Sequence, residues 1–257
     1  MPHISFSELK NWNFCPFYHK LVHIDKLKGF EGNEYTAFGS AIHKACELAV
    51  TDRNADLREE FLKSFITEIK EVGCENKSLL KDMKVQGEEL LPHILPSLED
   101  YFDDCEVLSV EERLYEPVKE YVETEVNFKG FIDLVLKTKD GKIHIIDWKT
   151  CSWGWDAKKK SDPMVTYQLT FYKHYYAKKH NIDPDNIETY FALLKRTAKK
   201  NKVEIFRVTS GSKRTQNALD LLIRALKNIN TGMCVKNKLS CKGRYGYCDF
   251  YKTEHCP

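Results

Sequence analysis

Asp133, Asp147 and Lys149 are ionisable residues placed inside otherwise apolar stretches of the chain. The runs FIDLVL (131–136) and KIHIID (142–147) flank KTKDGK, whose Asp140-Gly141 pair is a tight-turn signal. Two antiparallel strands, at about 130–137 and 142–148, are the expected local structure. Side chains alternate along a strand, so Asp147 and Lys149 should share one face while Trp148 points to the other. Buried charges are costly unless something pairs with them. Two carboxylates that hold Mg²⁺ or Mn²⁺, with a metal-activated water and a lysine beside it, form a centre that can hydrolyse phosphodiesters. The bland alternative is a hairpin with a surface ion pair.

Other elements must converge on this hairpin. TAFGSAIHKACELAV (36–50) reads as a helix carrying His43, and MVTYQLTFYKHYYAKKH (164–180) reads as an amphipathic helix. On the second helix Gln168 and Tyr172 are four residues apart and share a face. Taken singly, His43 reads as a core histidine and the Gln-Tyr pair as ordinary helix.

Elsewhere, Ser5-x-x-Glu8 is a capping box opening a short helix that should stop near Pro16. Helices are expected at about 54–72 and 86–103, the latter interrupted at Pro92 and Pro96, and at 216–230. Further strands are expected at 106–115, 120–126, 189–195 and 203–208. The pattern describes an α/β fold, helices around a mixed sheet, in one domain spanning 1–257.

The 257 residues suffice for a substantial core. No apolar run approaches the roughly 20 residues that span a bilayer, and the N-terminus lacks a signal-peptide core. An intracellular setting is therefore expected, in the cytoplasm or nucleoid, for a host or phage-encoded protein. In it, nine cysteines should serve as metal ligands or core residues rather than disulfides. The net charge of +2 conceals an asymmetry: residues 195–257 hold 15 Lys and Arg against 4 Asp and Glu, a balance of +11. That basic quarter suits either a phosphate-rich partner or a solvated lysine surface.

The ordered set His43, Gly-x-x-Asp133, Asp147-x-Lys149, Gln168-x-x-x-Tyr172 resembles the PD-(D/E)XK nuclease superfamily, in its RecB-like exonuclease branch. That branch includes CRISPR-associated adaptation nucleases and nuclease domains of recombination helicases. The resemblance implies a restriction-endonuclease-like mixed β-sheet flanked by helices. It implies metal coordination by His43, Asp133, Asp147 and the Trp148 carbonyl, with Lys149 assisting the water and Gln168 and Tyr172 orienting DNA or the lysine. Glu112, in SVEERLY, matches a commonly acidic position, with Glu111 beside it. Asp147 stands where many members have Glu, an accepted variant.

Cys15, in FCPFYHK, is similar to the Cys-Pro-x-x-Tyr entry of branch members that carry an iron–sulfur cluster. Those members add three cysteines near the C-terminus, here Cys241, Cys248 and Cys256, with Cys234 as the alternative. The spacing from Cys241 to Cys248 stretches the usual C-x-x-C. Four thiolates suit [4Fe-4S] or tetrahedral Zn²⁺, and the tail cysteines also allow a zinc site without Cys15 or plain free thiols. The Cys-rich segment 234–257 should pack back on the N-terminal helix.

In TCSWGWDAKKKSDP, Trp153 and Trp155 with Lys158, Lys159 and Lys160 combine stacking rings and phosphate-seeking charge, the means of holding single-stranded DNA. A surface loop covering the sheet edge is the alternative. The expected function is a metal-dependent DNA exonuclease acting on single-stranded or duplex ends, in recombination, repair or phage-type DNA processing. A protein partner in recombination or replication is compatible with this. The rivals are a structure-specific endonuclease of the same fold and a non-catalytic DNA-binding or partner-recruiting protein with a zinc tail.

Overall fold

The computed structural model describes residues 2–243 and 246–257. In chain order it has β1 (His3–Ser5), α1 (Phe6–Phe14), α2 (Pro16–His19), α3 (Glu34–Thr51), α4 (Leu57–Val72), α5 (Lys77–Leu90) and α6 (Ile94–Phe102). These are followed by β2 (Cys105–Pro117), β3 (Asn127–Thr138), β4 (Ile143–Cys151), α7 (Ala157–Ser161) and α8 (Pro163–His180). The remainder is β5 (Ile187–Lys195), β6 (Val203–Val208), α9 (Ser212–Asn230) and a minimal hairpin of β7 (Lys242–Gly243) and β8 (Gly246–Tyr247). The residues fall into two compact units, each assembled from separated stretches: 32–114 with 131–210, and 1–31 with 115–130 and 211–257.

The larger unit is built on the mixed sheet. β3 pairs antiparallel with β4, β4 parallel with β5, and β5 antiparallel with β6. Gly141, at φ +83°, turns the β3–β4 hairpin, and the amide of Thr138 bonds to the carbonyl of Lys142 across it. One sheet face contributes Leu134, Leu136, Ile146, Trp148, Tyr190 and Leu194 to a core shared with α3, α4, α5 and α6. Helix α8 contacts β4 and β5, so helices flank the sheet. Gly87 is dictated by packing, since a Cβ there would lie 2.1 Å from the ring of Phe61.

In the smaller unit β1 pairs in parallel with the first residues of β3, from His3 opposite Asn127 to Ser5 opposite Lys129. The Ser5 side chain caps α1 by accepting from the Glu8 amide, while the Glu8 carboxylate bonds His19 instead of closing the box. Apolar residues of α1 and α9 are buried, and the two helices touch.

Several expected elements differ. The stretch 120–126 is not a strand: Val118 N donates to Val126 O, closing an excursion between β2 and β3 in which Val122 is 89% exposed. Its β-branched residues pair with no strand, so propensity alone does not make them one. The first helix does stop near Pro16, since α1 ends at Phe14 with Cys15 extended, but Pro16 then occupies the first position of a further short helix, α2, where a missing N–H costs nothing. Likewise Pro96 sits in the first turn of α6 without interrupting it, and α5 begins at Lys77, capped by Asn76.

Candidate active site and cysteine cavity

The β3–β4 register pairs Leu134 with Ile146, and one step further places Asp133 across from Asp147. The backbone amide of Trp148 donates to Asp133 Oδ2 at 2.7 Å. Lys149 Nζ lies 2.6 Å from Asp147 Oδ2, on the face shared by those two residues, while Trp148 is buried in the apolar core on the other face. From α3, His43 Nδ1 reaches to 3.6 Å from Asp133 Oδ2. On α8 the Gln168 amide donates to the Tyr172 hydroxyl at 3.0 Å. All these groups belong to the larger unit.

Burial and charge tune the cluster. Asp147 is 1% exposed, and burial above all pushes its carboxyl up to about 6, with Lys149 opposing and Asp133 reinforcing the shift. Burial alone would lower the Lys149 ammonium, but Asp147 and Asp133 outweigh it and hold it above its usual range. The same contest at His43, burial against Asp133, ends with the imidazole raised. Burial, reinforced by the Asp147 charge, pushes the Tyr172 phenol far up, so it remains a hydrogen-bond donor.

An open cleft of about 650 Å³ adjoins the cluster, lined by Tyr35, Gly39, His43, Glu47, Glu111 and Thr150 among others. Its acid from β2 is Glu111, whereas Glu112, expected from the sequence at the acidic position, is not among its lining residues. The Glu112 carboxylate accepts from Ser109, Lys179 and His180, the last two at 2.8 and 2.5 Å. Adjacent strand residues point to opposite faces, and Glu111 at φ +49° interrupts the regular alternation. The sequence held the signal, a pair of neighbouring glutamates, but not which one faces His43. Glu111 is held above the usual carboxylate range by burial, then by the charges of Asp133 and Glu47.

Two acidic oxygens and an imidazole suit a hard divalent ion such as Mg²⁺ or Mn²⁺. Burial, more than the neighbouring Asp133, is what makes the charged form of Asp147 costly, and Lys149 is the charge that opposes this. Within the protein alone these donors are held by Trp148 N and Lys149. Among the described residues no three His, Cys, Asp or Glu side chains close on one point.

The tryptophan-lysine segment divides. Trp153 is 77% exposed, and Lys158 and Lys159 face solvent. Trp155 and Lys160 are not free for a ligand. The Trp155 ring packs 5.1 Å from Phe191, and Lys160 pairs with Glu204 while covering the ring of Phe206. Covering apolar sheet side chains wins for these two because it removes ring surface from water.

In the smaller unit Cys15, Cys241, Cys248 and Cys256 line a single cavity of about 620 Å³. Cys234 is not among its lining residues. The Asn237 amide donates to Cys15 Sγ at 3.3 Å, Phe17 N donates to Val235 O, and Tyr18 donates to Asp249 Oδ2 at 3.0 Å. These bonds join the N-terminal helices to segment 234–257. Burial raises the Cys248 thiol, helped by Asp249 and then by Cys241 and Cys15. The four thiols line one cavity without closing on a single point in the described residues, and thiolate is the donor type that [4Fe-4S] or Zn²⁺ takes.

No described helix is long and apolar enough to cross a membrane. No curated protein matches the chain. A crystal structure from Eubacterium rectale described as a putative exonuclease aligns over 91% of this chain and 84% of its own, at 15% identity and a TM-score of 0.57. That likeness concerns the fold. A second structure, SSO0001, covers 86% and 85% at 11% identity, with a TM-score of 0.36 that carries no argument. The model of the PD-(D/E)XK nuclease superfamily matches residues 3–256, nearly the whole sequence. With that match and a mixed sheet that sets Asp133 beside Asp147 and Lys149, the chain belongs to the PD-(D/E)XK nuclease superfamily.

Proposed function

We propose that the protein is a Mg²⁺- or Mn²⁺-dependent exonuclease that hydrolyses DNA from single-stranded or duplex ends, in recombination, repair or phage-type DNA processing. The observation that carries the reading is the buried Asp147 beside Lys149 on one strand face, with Asp133 on the neighbouring strand and His43 within reach. His43, Asp133, Asp147 and the Trp148 carbonyl hold the ion, with Glu111 added from β2. Bound there, a divalent ion supplies Lewis acidity that acidifies water and offsets phosphate charge. Lys149, kept protonated by two carboxylates, steadies negative charge developing on the phosphorus oxygens. Tyr172 stays protonated, so it orients by donating a hydrogen bond, with Gln168 fixing its hydroxyl. Trp153, Lys158 and Lys159 contact the strand outside the centre. Beyond the likeness in fold, the description of the Eubacterium rectale structure supports attack at ends.

In the smaller unit we propose that Cys15, Cys241, Cys248 and Cys256 hold a [4Fe-4S] cluster, with Zn²⁺ as the second occupant for the same thiols. The role is structural: it ties the first helices to the last segment.

The test uses end-labelled linear and covalently closed circular single strands with Mg²⁺ or Mn²⁺. Stepwise loss of nucleotides from the linear strand with the circle intact is expected. Cleavage of the circle would point to the endonuclease reading. No cleavage of either, by a folded protein whose Asp147→Ala variant binds metal as the wild type does, would overturn the nuclease assignment at this centre.

A further inference from the structure

Helix α3 presents Tyr35, Gly39, His43 and Glu47 at intervals of four residues, so they lie along one face, and all four line the cleft. His43 belongs to the proposed centre. Tyr35 stands at the other end of this lane, eight residues earlier, about 12 Å along the helix axis at 1.5 Å per residue. Between them Gly39 and Ser40 leave room above the helix.

The Tyr35 ring is 46% exposed, yet it is held from two sides. The capping box of α3 fixes its backbone: Asn33 Oδ1 accepts from Tyr35 N at 3.0 Å and from Thr36 N at 3.1 Å. The guanidinium of Arg196 lies over the ring, 5.0 Å from its centre. Arg196 is fixed in turn, donating to Gln86 Oε1 at 2.6 Å and to Ser152 Oγ at 3.2 Å. Its backbone amide bonds the carbonyl of Cys151, the last residue of the strand that carries Asp147 and Lys149. The ring is therefore registered to the proposed catalytic strand, with a cation behind it and open cleft beside it.

We infer that Tyr35 is a stacking platform for one nucleobase of the strand being cleaved, backed by Arg196 and set at a fixed distance from the reacting phosphate. The inference rests on the nuclease reading of the His43–Asp133–Asp147 centre and deepens it. A strand advances about 3.4 Å per nucleotide when stacked and further when extended. The stacked base is then roughly two to four nucleotides from the phosphate at His43. Because every base has a π-face, the platform reads the presence of a base, not its identity.

The experiment scans single-stranded oligonucleotides carrying one abasic site at successive positions, with wild type, Tyr35→Ala and Tyr35→Phe. In the wild type, KM should rise roughly tenfold at one position only, with kcat within about twofold. Tyr35→Ala should show that rise on the intact strand and lose nothing more when the base at that position is removed; Tyr35→Phe should behave as wild type. Anisotropy with metal-free protein repeats the comparison without catalysis. If the wild type binds with the same positional signature but cleaves nothing, the catalytic reading fails and the platform stands. If Tyr35→Ala binds the intact strand as the wild type does, or remains as sensitive to the abasic site, the platform is wrong whatever the enzyme does.

Discussion

The two units use buried polar groups in opposite ways. In the larger one, charged side chains emerge from a continuous apolar core: Trp148 anchors β4 on one face, and one residue to either side Asp147 and Lys149 pair on the other, at the proposed centre. The strand is held whether or not an ion is bound. In the smaller one, the described residues after α9 form a minimal hairpin, a short 3₁₀ turn and a bridge between Thr253 and Cys256, and Cys241, Cys248 and Cys256 line open space. A core of that size gives the segment little to fold against, so the metal centre proposed there would be a structural element and not an accessory. The difference predicts which variants lose chemistry and which lose structure.

The largest effect is expected in the larger unit. Asp147→Ala and Lys149→Ala should each lower DNA cleavage by on the order of a thousandfold or more while the thermal unfolding midpoint moves little. An active Asp147→Ala protein would break the comparison at its first term. Trp148→Ala is the converse on the same strand, since it removes a buried indole and should cost about 3–5 kcal/mol of stability. Denaturant unfolding of the two variants side by side separates these outcomes.

Next comes Cys15→Ser. If the four thiols share a centre, this substitution should bleach the brown colour of anaerobically purified protein and expose residues 234–257 to limited proteolysis. Iron-free, colourless protein with an unchanged proteolytic pattern would leave zinc or free thiols in the cavity, and Cys15 out of any centre.

Smaller still is the contrast between neighbouring glutamates. Glu111→Gln should raise the metal concentration needed for half-maximal cleavage by roughly ten- to a hundredfold, the size seen when a group supporting a metal site is lost. Glu112→Gln should leave metal dependence alone and cost about 1–3 kcal/mol through its contacts with Lys179 and His180. Equal effects on metal use would return the acidic role to both.

The smallest expected effect is in pH. The Asp147 carboxyl keeps its proton to about 6 in the folded protein, above its ordinary 3.8, so the native state binds more protons than the unfolded one in that interval. Metal-free protein should therefore lose this contribution as pH rises from about 4 to about 6 and show no further change from it above. Asp147→Asn should flatten that part of the stability profile, which urea titrations at several pH values can measure.

What the sequence determined by itself was chemistry that depends on local order. The Asp140-Gly141 turn between two β-branched runs sets the hairpin, and the two-residue period of a strand then forces Asp147 and Lys149 onto one face and Trp148 onto the other. The four-residue spacing of Gln168 and Tyr172 is likewise a property of any helix. Segments with no such periodic constraint were decided by tertiary structure. Residues 120–126 have strand-forming composition but join no strand, and β-structure needs a partner that sequence does not name. Glu111, at a positive φ in β2, lines the cleft while Glu112 pairs with Lys179 and His180, and Trp155 and Lys160 were drawn onto the phenylalanines of β5 and β6. Cys15 and the tail cysteines, more than 200 residues apart, share a cavity only because backbone bonds such as Phe17 to Val235 bring the two ends of the smaller unit together. Side-chain direction within one element follows from covalent geometry, whereas proximity between elements follows from what packs against what.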